Sequence, residues 1–224
     1  MKTYFDAITI DAQGTIEFTF SSNVHNRPLT AEVCSLMDCT GSMVSWIGAG
    51  KQHIKAIADG IQNEIEENYD KDSFLRVAFV AYRDRNGPCR FDWIDFHQAP
   101  NLEPVQTKIA SQPPLSDTDL CEDVPGGLDK ALQLGRAKEN SSRAAQILVW
   151  IGDCPGHASF CHNGGASWYQ HLNGLSDVSL ITEIINDINS RGIFLLLSDF
   201  TPYVQIMPEN SEKKVNTIIA NEFM

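Results

Sequence analysis

Residues 31–47, AEVCSLMDCTGSMVSWI, carry the reading of the fold. Their first part is a mostly apolar run, as in a strand buried on both faces. The run ends in Asp38. Thr40, Gly41 and Ser42 follow almost at once, and the apolar pattern then resumes with a different period. Ile47, Ile54, Ile57, Ala58, Ile61 and Ile65 recur at helical spacing, with Lys, Gln, Asn and Glu between them. Gly48 and Gly50 weaken the front of that helix without abolishing it. A buried strand, a short polar loop and an amphipathic helix form the unit from which parallel sheets are built.

The alternation repeats downstream. FLRVAFVAYRD (74–84) and AAQILVWIGD (144–153) read as buried strands, and IFLLLSD (193–199) as another. PCRFDWIDF (88–96) alternates apolar with polar residues, which marks a paired or edge strand. NLEPVQTKIASQ (101–112) reads as a short helix stopped by Pro113-Pro114. Val124, Leu128, Ala131 and Leu132 mark another helix. Val178, Ile181, Ile184, Ile185 and Ile188 mark a further one, ending at Gly192. The tail from Glu209 reads as a last helix. At the front, YFDAITID and TIEFTF flank Ala12-Gln13-Gly14 and predict a β-hairpin. Trp46, Trp93, Trp150 and Trp168 are expected mostly in the core, with Trp168 and Tyr169 able to form an exposed contact surface. The expectation is one α/β domain with a mainly parallel sheet. A hairpin extension occupies 1–29 and the core 30–224.

Composition narrows the function. The chain has 224 residues, enough for one well-cored domain, and is 42% hydrophobic and 21% charged, as soluble globular proteins are. Lys plus Arg number 17 against 29 Asp plus Glu, a net charge of −12. That balance argues against a nucleic-acid surface, which needs clustered Lys and Arg. It suits cations, basic partner surfaces, or plain solubility. No run approaches the ~18 apolar residues of a membrane span, and the start lacks the apolar core of a secretory signal. Six cysteines at irregular spacing then read as free thiols, and the expected location is cytoplasmic.

The polar residues at strand ends are the candidates for chemistry, because ligands of open α/β sheets bind beyond the carboxyl ends of the strands. Asp38, Asp84, Asp153 and Ser198-Asp199 all fall there. Any one of them is also an ordinary helix cap or turn former. Asp84 is expected to pair locally with Arg83 or Arg85. Asp38, Thr40 and Ser42 alternate along a loop in which Gly41 permits a tight path, so their side chains can aim at one point. One carboxylate and two hydroxyls are three hard oxygens, and Mg²⁺ takes six at about 2.0–2.1 Å, often including waters. Two neutral hydroxyls leave such an ion short of negative charge. Asp153 is one source of more; the loop holding Asp117, Thr118 and Asp119 is another.

DCTGS with a helix after it, a Thr/Asp loop before a later helix, and WIGDCPGH at a strand end together resemble the metal-ion-dependent adhesion site of von Willebrand factor A domains. The resemblance covers roughly residues 30–200 and is nearest to the A-type domains found with alpha-kinases, through RVAFVAYRDR, CEDVPGGLDKAL and DCPGHASFCH. It implies a three-layer, Rossmann-like fold, a mainly parallel sheet flanked by helices. It implies Mg²⁺ or Mn²⁺ as cofactor and a protein partner met on the metal face, kinase-linked in cis or in trans. It implies no nucleic acid or membrane partner and no catalysis by the chain. Residue by residue, Asp38, Thr40 and Ser42 match the D-x-[ST]-x-S positions and Asp153 the distal Asp. Asp119 matches a further Asp of the kinase-associated group. The glycines that precede that Asp in the group are missing here, so Thr118 competes for the role.

Rival readings fit these residues less well. DCTGS also resembles the nucleophile loop of haloacid-dehalogenase-like phosphotransferases, with Asp38 as covalent nucleophile. That reading needs a later acidic pair, and GDCPGH places His157 where the second acid belongs. Cys154, His157, Cys161 and His162 contain zinc-type ligands, but four from one loop are cramped and match no common finger. These histidines also match the kinase-associated domains, where they shape the rim. Cys39, Cys121 and Cys154 read as small buried neighbours of the site, with redox sensitivity the lesser alternative. No G-x-S-x-G elbow and no properly placed G-x-G-x-x-G occurs, which argues against α/β-hydrolase and dinucleotide-binding readings.

Overall fold

The computed structural model describes residues 5–10, 16–20, 28–85, 87–115, 121–136, 144–154, 156, 175–199 and 217–220. Strands β1 (Phe5–Ile10) and β2 (Ile16–Phe20) pair antiparallel in a two-stranded sheet of their own. The remaining strands form the main sheet: β3 (Thr30–Asp38), β4 (Phe74–Tyr82), β5 (Phe91–Gln98), β6 (Ala144–Gly152), β7 (Phe194–Asp199) and β8 (Thr217–Ala220). Its spatial order is β5-β4-β3-β6-β7-β8. All neighbours run parallel except β4 and β5. Helices α1 (Ile47–Asn68), α2 (Glu103–Ala110), α3 (Val124–Leu132) and α4 (Leu175–Arg191) lie between strands in the chain.

The two-residue period of the strands sorts their side chains to opposite faces. Ala31, Val33 and Met37 of β3, with Val77 and Phe79 of β4, join Ile54, Ile61 and Ile65 of α1 and Val105 and Ile109 of α2 in one core. Cys34 and Leu36, with Ala78 and Val80, join Leu128 of α3 and Ile184, Ile185 and Ile188 of α4 in the other. Helices therefore cover both faces, and the fold is the α/β, three-layer, Rossmann-like arrangement expected. Gly192 ends α4 at φ 68°, a left-handed turn that suits glycine; Ile193 N–H then reaches Ile188 O at 3.0 Å.

Two expectations fail. The tail read as a helix contains β8, a parallel edge strand on β7; the rest of that tail lies outside the described residues. Thr217, Ile218 and Ile219 are β-branched and find an open sheet edge to pair with. Of the tryptophans, Trp150 is buried, but Trp46 and Trp93 are 38% and 46% exposed. Trp46 sits just ahead of α1. Trp93 faces outward on the edge strand β5, where Lys130 Nζ lies 3.5 Å from its ring centroid. Trp168 and Tyr169 are outside the described residues.

Candidate functional site

From β3 the chain runs outward to β4 on one side, and from β6 outward to β7 on the other. The reversal leaves a crevice between the carboxyl ends of β3 and β6. Met37 and Ile151 are register partners there. Asp38 ends β3, and Asp153 follows Gly152, the last residue of β6. The loop between β3 and α1 curls immediately, with Met43 N–H on Thr40 O at 3.2 Å and a 3₁₀ turn over Ser42–Ser45.

That curl brings the alternating side chains together. Asp38 Oδ1 accepts the backbone N–H of Thr40 at 2.8 Å and its hydroxyl at 2.7 Å. Thr40 Oγ1 lies 3.1 Å from Ser42 Oγ. Ser42 Oγ donates to Asp153 Oδ1 at 2.9 Å. Carboxylate, hydroxyl, hydroxyl and carboxylate thus form one continuous chain of oxygens. Each hydroxyl has a single proton, and each proton is directed at a carboxylate. The contact between the hydroxyls therefore competes with the outer links for a proton. Asp38 is fully buried, and its Oδ2 has no hydrogen-bond partner among the described residues.

The electrostatics follow from burial. Burial pushes the Asp38 carboxyl up to about 7; the two bonds from Thr40 and the charge of Arg83 pull it down, and Asp153 pushes it further up. Burial, then the Asp153 charge, also drives the Cys154 thiol upward, and its Sγ lies 3.8 Å from Ser42 Oγ. Burial pushes Cys39 up to about 12. These two thiols are poor thiolate formers at neutral pH, as expected of packing neighbours.

Several residues that sequence reasoning did not assign to the site hold it in place. Arg83, buried under the loop, donates through Nε to Cys39 O (3.1 Å) and through Nη1 to Cys89 O (3.1 Å). Its Nη2 reaches Gln112 Oε1 (3.0 Å) and Pro113 O (3.1 Å). One guanidinium so ties three loops together, and Leu115 N–H adds a bond to Cys39 O at 3.1 Å. The expected pairing of Asp84 takes a different form: Asp84 accepts the backbone N–H of Arg85, whose side chain goes to Asp123 instead. Tyr82 Oη accepts the Trp150 indole N–H at 2.8 Å beneath the crevice. Gly152 is required there, because a Cβ would sit 2.6 Å from Tyr82 Oη. An Arg that donates only to carbonyls and a Gly beside an aromatic leave no local mark in a sequence.

Among the described residues, no three His, Cys, Asp or Glu side chains converge in a metal-sized cluster. The described set is two carboxylates and two hydroxyls. Asp117, Thr118 and Asp119 lie outside the described residues, as do His157, Cys161 and His162. Asp123, just beyond the first of these loops, is committed elsewhere. It caps α3 through Gly126 N–H at 3.2 Å and pairs with Arg85 and Arg90. Among the described residues, no helix is long and apolar enough to cross a membrane.

No protein-family model matches the chain, and no curated protein matches it. Among solved structures, the pilus adhesin SpaC of Lactobacillus rhamnosus GG in its open conformation is similar over 81% of this chain and 26% of its own, at 15% identity and a TM-score of 0.48. A second crystal form of that adhesin is similar over 58% of this chain and 16% of its own, at 17% identity and a TM-score of 0.43. Proximal thread matrix protein 1 of the mussel byssus is similar over 79% and 37%, at 10% identity and a TM-score of 0.43. This chain spans well under half the length of each. Likeness at this level carries no argument about function.

Proposed function

We propose that this chain is a von Willebrand factor A-type module that binds Mg²⁺ or Mn²⁺ at the end of β3 and meets a protein partner on that face. The observation that carries the reading is the donor-poor chain Asp38–Thr40–Ser42–Asp153, with a buried carboxylate oxygen that no other described residue engages. A divalent cation is the chemistry this set lacks. Asp38, Thr40, Ser42 and Asp153 would hold it, directly or through water, with Asp119 as a further carboxylate from the neighbouring loop. When bound, the ion supplies positive charge and open coordination positions at the surface. Ser42 and Val44 are exposed beside it, Val44 at 62%, so an apolar contact adjoins the polar one. The resemblance to domains found with alpha-kinases makes a kinase-linked protein the first partner to test.

Burial of Asp38 favours this reading over the phosphotransferase, whose nucleophile must face its substrate. Thermal unfolding in Mg²⁺ and in chelator is the test. Mg²⁺ at a hundredfold excess over Kd adds about 2.7 kcal/mol. For a chain of this size that is on the order of 5–10 °C in Tm. Absence of any shift, or a full shift in Asp38→Ala, overturns the metal assignment. Phosphate release from a phosphomonoester, lost in Asp38→Asn, would restore the rival.

A further inference from the structure

Away from the candidate metal loop, α1 and α2 lie side by side on one face of β4 with a groove of about 300 Å³ between them. Its floor is apolar: Ile54 and Ala58 from α1, Val77 from β4, Val105 and Ile109 from α2. Ala58 and Ala110 are the smallest side chains of its lining. Set against the ~30 Å³ that a water takes in the liquid, the space compares with roughly ten water-sized groups.

The charged side chains on its walls are Lys51, Lys55 and Asp59. Lys55 donates to Asp59, four residues along α1, and the two charges largely cancel. Lys51 is different. Its ammonium donates to Ala110 O at 2.9 Å and Gln112 O at 3.3 Å, and both acceptors are neutral carbonyls. Two of its three donors are used, and among the described residues no carboxylate forms an ion pair with it. In a chain of net charge −12, this groove combines an apolar floor with a surplus cation at its wall. Apolar pockets with one or two placed polar groups are the usual form of small-molecule sites.

We infer that the groove between α1 and α2 binds a small amphipathic anion, a saturated monocarboxylate of about eight carbons. The chain lies on Ile54, Ala58, Val77, Val105 and Ile109, and the carboxylate takes the remaining donor of Lys51. The site is independent of the metal reading, and its test uses no metal.

The test is calorimetric titration of the purified protein with butanoate, hexanoate and octanoate, all below their micelle concentrations, and with 1-octanol as the neutral match. Amide chemical shifts locate the contact. Affinity is expected to rise about fourfold per added methylene, as ~0.8 kcal/mol per buried CH₂ predicts. Octanol is expected to bind at least about tenfold more weakly than octanoate, the loss of one charge-assisted hydrogen bond. Lys51→Met should bring octanoate down to the level of octanol, and Ala58→Phe should abolish both by filling the groove. Equal binding of octanoate and octanol, no octanoate binding, or perturbed amides away from α1 and α2 would each overturn the proposal. The wild-type comparison of acid with alcohol decides it even where a variant does not fold.

Discussion

The two ends of the main sheet treat a buried carboxylate in opposite ways. At the amino end, Glu32 on β3 is fully buried and faces its register partners, Arg76 on β4 and Gln146 on β6. Arg76 pairs with one of its oxygens and Gln146 donates to the other at 3.2 Å. Six residues along the same strand, Asp38 is equally buried, yet among the described residues only Thr40 donates to it. Arg83 is near it but spends its donors on carbonyls. A buried charge is tolerated when it is paired and hydrogen-bonded. Glu32 and Asp123 meet that condition through arginines; Asp38 does not. Among the described residues, Glu32 and Asp123 each pair with arginine and Asp38 does not, and that contrast is what the proposed cation would answer.

The largest effect tests the paired side of this contrast. Asp123→Ala removes the α3 cap and leaves Arg85 and Arg90 facing each other, and is expected to cost about 3 kcal/mol in denaturant unfolding. Asp38→Asn, in chelator at pH 8, is expected to leave stability unchanged or raise it, since it removes an uncompensated charge. A loss as large as that of Asp123→Ala would erase the distinction between the paired acid and the unpaired one.

Gly152→Ala comes next. The new methyl lies 2.6 Å from Tyr82 Oη and 3.2 Å from Trp150 Nε1, and overpacking of that kind costs about 1–3 kcal/mol. It also moves Asp153, so the Mg²⁺-dependent rise in Tm should shrink together with stability. Loss of stability with an undiminished Mg²⁺ effect would remove Asp153 from the site.

A pH series sharpens the comparison further. The Asp38 carboxyl is raised in the folded state from 3.8 to about 7. The folded protein therefore holds this proton where the unfolded chain has released it. Its contribution to metal-free stability is full below about pH 4 and is lost as pH rises through 7. Mg²⁺ binds the deprotonated form, so the stabilisation by Mg²⁺ should grow from pH 6 to pH 8. A Mg²⁺ effect independent of pH across that range would contradict the role given to Asp38. The smallest structural effect is that of Ser42→Ala. Ser42 is exposed, so stability should change by less than about 0.5 kcal/mol. Mg²⁺ affinity should nonetheless fall about tenfold, the worth of one good oxygen ligand.

Much of the architecture was legible locally. Apolar period marked β3, β4, β6 and β7 as buried strands and placed α1 to α4, because side-chain period reports which faces are covered. It misled where burial is set by distant parts. Trp93 has the alternation of a buried position, but its strand is at the edge and its ring faces outward under Lys130. The tail had a helical reading, but the free side of β7 captured Thr217–Ala220. Of the candidate site, Asp38, Thr40 and Ser42 were legible as a group because they are neighbours on one loop.

The order of elements, the polar residues at the strand ends and the acidic balance are written in the chain itself, since each depends only on local period and residue type. Three-dimensional packing added what those cannot contain. It laid β6 beside β3, so that Ser42 and Asp153, 111 residues apart, are joined at 2.9 Å. It also committed Arg85 and Arg90 to Asp123, and Arg83 to carbonyls, leaving Asp38 without an ion pair among the described residues. Strand neighbours and charge partners are long-range choices among many acids and bases of the same type. Only the register of the folded sheet selects one of them.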